Sequence, residues 1–234
     1  MAARRRKHAE DPREMPLYSL SEVARFVGLP LTTLQKWVNG RDYYAGGEWR
    51  QSKPLIVPAS RQPDTGHATL SFANLTEAHI LDATRRLRIP MADVRAAIDA
   101  VKAEDPSSRH PLITGNFLHV GKRIFVRHLE RTVAMSKPIE GQPVLGDLLD
   151  SYLERIGRDA AQQPVRLFPM RRNESRSVMV DFFVASGQPV LRGTGIIAEF
   201  VVQRFKTGES PGDIADDYGI DEHIVSDAIR YLVA

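Results

Sequence analysis

The chain has 234 residues, 42% of them hydrophobic and 26% charged, which permits a packed core in one large domain or two small ones. The absence of cysteine excludes a disulfide framework, a thiolate zinc site and a cysteine nucleophile. No apolar run approaches the roughly 20 residues of a membrane-spanning helix, and the basic start (Arg4, Arg5, Arg6, Lys7) leads into charged residues instead of an apolar stretch. A soluble, cytoplasmic protein is expected. The net charge of +3 conceals a split: residues 1–61 carry 11 Lys+Arg against 6 Asp+Glu, whereas residues 181–234 carry 4 against 9. The N-terminal part suits a polyanion and the C-terminal part does not.

Residues 1–16 are charged, lack periodicity and are expected to form a flexible basic arm. Ser19 and Glu22 match a capping box, and Leu20, Val23, Ala24 and Val27 recur at helical spacing. Gly28 and Pro30 break that helix, after which Leu34 and Val38 resume the period until Asn39 and Gly40. Two short helices joined by a glycine-containing turn outline a helix-turn-helix. The outward face of its second helix offers Thr32, Thr33, Gln35 and Lys36, with Arg41 just beyond. These side chains can reach base edges and phosphates in a major groove, although a plain helical hairpin would show a similar polar face. Trp37 is expected in the core.

An irregular wing is expected over residues 42–72, with strand-like stretches at 55–57 and 68–72. Arg50, Lys53 and Arg61 lie where such a wing would meet phosphates. A helix capped at Asn74 and another starting near Met91 follow, then a linker at 105–108, a hairpin at 116–126 and a helix near 128–135. Pro138 to Pro143 marks a boundary. Beyond it come an amphipathic stripe over 145–156, strands at 165–169 and 178–180, and a helix from Ile196. The chain finishes with a second helix-turn-helix outline, hinged at Gly219. Its acidic second helix, with Asp221, Glu222 and Asp227, would be repelled by phosphate and suits protein contact or dimerisation. The expected fold is mainly α with small β-hairpins, divided into an arm (1–16), a DNA-binding domain (17–136), a linker (137–144) and a helical C-terminal domain (145–234).

Catalytic signals are lacking. Gly193-Thr194-Gly195 matches the start of a dinucleotide motif, but the 39 residues beyond it read as helices with no second strand, so a turn is expected. The seven histidines are scattered without metal-ligand spacing. Asp213, Asp216, Asp217 and Asp221 could in principle hold Mg²⁺, but acidic residues at helix starts are commonly there for the helix dipole. No enzyme, cofactor or metal is expected.

Residues 18–101 resemble the MerR-like helix-turn-helix domain, and the string from Leu70 to His79 resembles an LSFxNLxExH motif found in an antitoxin-like branch of that group. Gly187, Pro189, Val190, Leu191, Arg192, Gly193 and Thr194, with Gly208-Glu209-Ser210 and Ala228-Ile229-Arg230-Tyr231, resemble a small C-terminal domain that recurs among VapB-type antitoxins. That domain usually continues G-T-R-I-P, whereas this chain has Gly193-Thr194-Gly195-Ile196-Ile197, so no role is carried over to that turn. The resemblance implies a homodimeric antitoxin that binds double-stranded operator DNA and neutralises a PIN-domain ribonuclease toxin. PIN active sites are carboxylate clusters that hold divalent metal, and Arg166, Arg171, Arg172 and Arg176 are nominated to enter one, because they interrupt an otherwise acidic half. A solvated hairpin is the plainer reading of those four. The alternative function is a stand-alone MerR-like transcriptional regulator with no toxin partner.

Overall fold

The computed structural model describes residues 11–63, 66–114, 150–169 and 175–233. The hairpin, helix and boundary expected between 115 and 149 lie outside these residues, as do Arg171 and Arg172. About half of the fold is helical, with small antiparallel sheets and an N-terminal helix-turn-helix.

Helix α1 (Leu20–Val27) opens with the expected box: the Ser19 hydroxyl accepts from the Glu22 amide, and the Glu22 carboxylate accepts from the Ser19 amide. Gly28 ends it in the left-handed conformation, φ 78°. Helix α2 (Leu31–Asn39) buries Leu34, Trp37 and Val38. Strands β2 (Asp42–Ala45) and β3 (Glu48–Gln51) then form an exposed hairpin. Its two-residue turn holds Gly46 at φ 63° and Gly47 at φ 85°, the positive angles that a tight I′ turn requires.

Strands β1 (Tyr18–Ser19), β4 (Ser60–Arg61) and β5 (Ala68–Leu70) make a three-stranded sheet with β5 in the centre. Residues 55–57 are not a strand: Leu55 and Ile56 are buried, and their amides donate to the Trp37 carbonyl at 2.7 and 3.1 Å. A short apolar run reads alike whether it pairs in a sheet or plugs the end of a helix.

Helix α3 (Phe72–Arg86) is central, buried throughout from Phe72 to Thr84. It starts earlier than expected, because Ser71 and not Asn74 is the N-cap. The Ser71 hydroxyl accepts from the Asn74 amide and the Asn74 side chain accepts from the Ser71 amide. Asn74 thus completes the box as its third residue. Helix α4 (Met91–Glu104) follows as expected.

In the C-terminal half, β6 (Ile156–Arg158), β7 (Pro164–Leu167), β8 (Val178–Asp181) and β9 (Pro189–Leu191) form an antiparallel meander. The stripe expected to stay helical to Ile156 instead enters β6 there. Gly193 and Gly195, both at positive φ, close the turn beyond β9, where the Ile196 amide donates to the Thr194 hydroxyl at 3.0 Å. This is the turn expected at that position. Helices α5 (Ala198–Lys206) and α7 (Glu222–Val233) pack on β8 and β9, and α6 (Pro211–Tyr218) packs on both helices, in one cluster with Val201, Ile214, Val225 and Tyr231. Gly219 forms the left-handed hinge between α6 and α7.

The two halves meet in the larger of two apolar clusters, the smaller being that of the C-terminal helices. Tyr152, Ile156, Leu167 and Val180 pack with the apolar side chains of α1 to α4. The Tyr18 hydroxyl donates to the Gly187 carbonyl at 2.8 Å, and the Tyr231 hydroxyl donates to the Phe26 carbonyl at 2.7 Å. Within the expected arm, Pro12–Glu14 is a 3₁₀ turn whose Arg13 pairs with Asp159 at 2.7 Å. Among the described residues, no helix is long and apolar enough to cross a membrane.

Candidate nucleic-acid interface

The face expected to read DNA is assembled on α2. Thr32, Gln35 and Lys36 are exposed and Thr33 half-exposed, while Leu34, Trp37 and Val38 on the opposite side are buried. The 3.6-residue period separates the two sets, so burying one presents the other. Arg41, Arg50 and Lys53 are also exposed. Across the hairpin Arg50 faces Tyr43, and Tyr44 faces Trp49 with the rings edge to face at 5.6 Å. The hairpin therefore carries a cation on one side and an aromatic pair on the other.

The C-terminal end of α2 is held from three directions. The Leu55 and Ile56 amides satisfy the Trp37 carbonyl. Gly40 stands at φ 83°, where a Cβ would meet the Ser52 carbonyl oxygen at 2.2 Å. The Arg61 guanidinium donates to the Val38 carbonyl at 3.4 Å, to Asn39 Oδ1 at 3.0 Å and to the Gly66 carbonyl at 2.9 Å. Arg61, expected on a phosphate, is exposed and also bonded to the protein itself. Between α2 and the β4–β5 hairpin lies a groove of about 450 Å³, lined by Ser19, Gln35, Asn39, Gln62, His67 and Thr69.

The arginines nominated for a toxin do not act alike. Arg166 lies opposite Asp181 across β7 and β8, and its Nε donates to that carboxylate at 2.7 Å. Asp181 is only 3% exposed, so Arg166 neutralises a buried charge. Arg176 approaches Glu154 at 3.7 Å and keeps an exposed side chain.

The Leu70–His79 motif proves to be architectural. Leu70, Phe72 and Leu75 are core, and the Asn74 amide group donates to the Val57 carbonyl and to the Glu77 carboxylate. Glu77, 1% exposed, also accepts from His110 Nδ1 at 3.0 Å. Burial pulls the His110 pKa down, but the hydrogen bond and charge of Glu77, together with Glu14, outweigh it and raise it above the ordinary value. His79 is fully buried, with Nε2 donating to the Tyr152 carbonyl at 3.1 Å and Nδ1 without a hydrogen-bond partner among the described residues. Desolvation lowers its pKa to about 4. The Glu77–His110 pair joins residues 33 positions apart, and no sequence signal announced it.

Near the C-terminus, Asp227 of α7 accepts from both Ser175 and Ser177 and pairs with Arg230. The acidic residue expected to repel DNA is thus also a structural anchor. Among the described residues no group of three or more side chains could hold a metal ion.

Two family models match the chain. Residues 16–98 match "Putative DNA-binding HTH domain", and residues 178–232 match "Protein of unknown function (DUF433)". The chain is 28% identical over 233 residues to "Putative antitoxin VapB45" of Mycobacterium tuberculosis, covering 94% of this chain and 95% of that protein. It is 27% identical over 228 residues to "Uncharacterized protein Rv2308" of the same organism, covering 92% and 89%. The X-ray crystal structure of Rv2018 from Mycobacterium tuberculosis superposes with a TM-score of 0.68 at 26% identity, over 92% of this chain and 98% of that one. These similarities, with the exposed polar face of α2, support an antitoxin-like protein that carries an N-terminal helix-turn-helix of DNA-binding type.

Proposed function

We propose that this chain is a VapB-type antitoxin, which neutralises a PIN-domain ribonuclease and represses its own operon through a MerR-like helix-turn-helix. The observation that carries the DNA-binding part is the helix α2 itself: Thr32, Gln35 and Lys36 stand exposed on a helix whose other side is locked into the core. In this reading the face of Thr32, Thr33, Gln35 and Lys36 enters the major groove, with Lys36 meeting a phosphate at its edge, and Arg41, Arg50 and Lys53 meet further phosphates. A symmetric dimer sets two half-sites about 34 Å apart. The protein works in the cytoplasm, without cofactor or catalytic activity of its own. The similarity to an antitoxin-named relative over nearly the whole chain supports the toxin partner. Arg176, with Arg171 and Arg172, is the basic group offered to the toxin's carboxylates; Arg166 belongs to Asp181.

The DNA reading is tested by fluorescence anisotropy on a duplex from immediately upstream of the reading frame. Lys36→Glu is expected to weaken binding at least tenfold, since it replaces a phosphate attraction by a repulsion. Equal binding by the variant and the parent protein would remove α2 from the interface.

A further inference from the structure

The three-stranded sheet touches the helix-turn-helix at both ends. At the entrance, β1 pairs with β5 through Ser19↔Thr69, and Ser19 is the N-cap of α1. At the exit, β4 pairs with β5 through Arg61↔Ala68, and Arg61 reaches back to the last turn of α2. One guanidinium nitrogen takes the Val38 carbonyl and Asn39 Oδ1, and the other takes the Gly66 carbonyl in the turn between β4 and β5. That turn is itself closed by the Gln62 amide donating to the His67 carbonyl at 2.9 Å. The fork therefore ties the last turn of α2 to the β4–β5 turn through Asn39 and Gly66, two residues that also line the 450 Å³ groove between these elements.

A cation at the C-terminal end of a helix also complements its dipole and satisfies carbonyls that have no partner within the helix. Lysine could supply the charge there. It could not supply the planar fork, which bonds three acceptors on two segments at once.

We propose that Arg61 is a positioning residue for DNA recognition, a strut that sets the angle at which α2 enters the groove, and not a phosphate contact. The inference rests on the DNA-binding reading above. Its consequence is that loss of Arg61 impairs sequence discrimination while leaving the count of phosphate contacts intact.

The two roles differ in salt dependence. Each phosphate contact contributes about 0.9 to the slope of log affinity against log salt. The experiment measures that slope for the intact protein, Lys36→Ala, Arg61→Ala and Arg61→Lys, on the upstream duplex and on a scrambled duplex of equal length. Lys36→Ala is expected to lower the slope by about 0.9. Arg61→Ala and Arg61→Lys are each expected to bind the upstream duplex about tenfold more weakly, with an unchanged slope and a smaller preference over the scrambled duplex. Should Arg61→Ala fail to fold, as judged by circular dichroism, Arg61→Lys carries the test alone. Rescue by lysine, or a slope lowered by about 0.9 in Arg61→Ala, would overturn the strut and make Arg61 a phosphate contact. An intact protein that binds both duplexes equally would instead sink the operator reading, and the strut with it.

Discussion

His79 and His110 pull stability in opposite directions as pH changes. His79 is held neutral in the fold, with a pKa of about 4 against an ordinary 6.5. The unfolded chain therefore binds a proton that the folded one refuses, and stability falls as pH drops from 6.5 towards 4. The shift corresponds to about 3 kcal/mol over that window. His110 has a raised pKa in the fold, so its contribution is complete below the ordinary histidine value and is lost as pH rises through the folded one. Urea unfolding from pH 4.5 to 6.5 is expected to show a steep acid limb that flattens in His79→Gln. An unaltered limb in that variant would mean that His79 does not govern it. Both histidines were visible in the sequence only as scattered single residues. Their partners are a backbone carbonyl at Tyr152 and a carboxylate on another element, neither of which local spacing encodes.

At the scale of elements, the helix-turn-helix was legible because its signals are local. Ser19 and Glu22 form a capping box within one turn, Gly28 ends α1, and the apolar period of α2 points Leu34 and Val38 inward. The start of α3 lies three residues before the expected one because two polar residues, Ser71 and Asn74, each look like caps, and only backbone geometry decides between them. Leu55 and Ile56 look like a strand in sequence because the acceptor of their amides, the Trp37 carbonyl, lies outside their own stretch. That contact makes the exit of α2 intolerant of change. Gly40→Ala forces a side chain onto the Ser52 carbonyl at a positive φ and is expected to cost about 2 kcal/mol or more, measurable as a lowered urea midpoint. A loss well below that would show that the chain after α2 is free to rearrange. The arginine group was legible as composition but not as chemistry: Arg166 faces Asp181 only because β7 and β8 pair in that register.

For the whole molecule, an apolar cluster to which both described halves contribute joins them, while the C-terminal helices keep a second cluster of their own. Tyr231, on helix α7, is hydrogen-bonded to the carbonyl of Phe26, and side chains from β6, β7 and β8 complete the N-terminal core. These contacts are between residues far apart in sequence and leave no trace in its periodicity. Both tryptophans, Trp37 and Trp49, lie in the N-terminal half and report on it alone. Tyr231→Phe, which removes only the hydroxyl, is expected to lower stability by about 1 kcal/mol and to shift the tryptophan-detected transition as much as the circular-dichroism one. A shift in circular dichroism without one in fluorescence would show that the halves unfold separately.

The proposed antitoxin role is a statement about a partner, and it is tested most directly by recovering that partner. The tagged chain would be co-expressed with its adjacent reading frame, then resolved by size-exclusion chromatography and mass spectrometry. A stable complex is expected with a small protein that regains ribonuclease activity once separated, and weaker complex formation is expected when Arg171, Arg172 and Arg176 are reversed to glutamate. Recovery of this chain alone, with the neighbouring product unbound, would contradict the antitoxin reading and leave a free-standing DNA-binding regulator in its place.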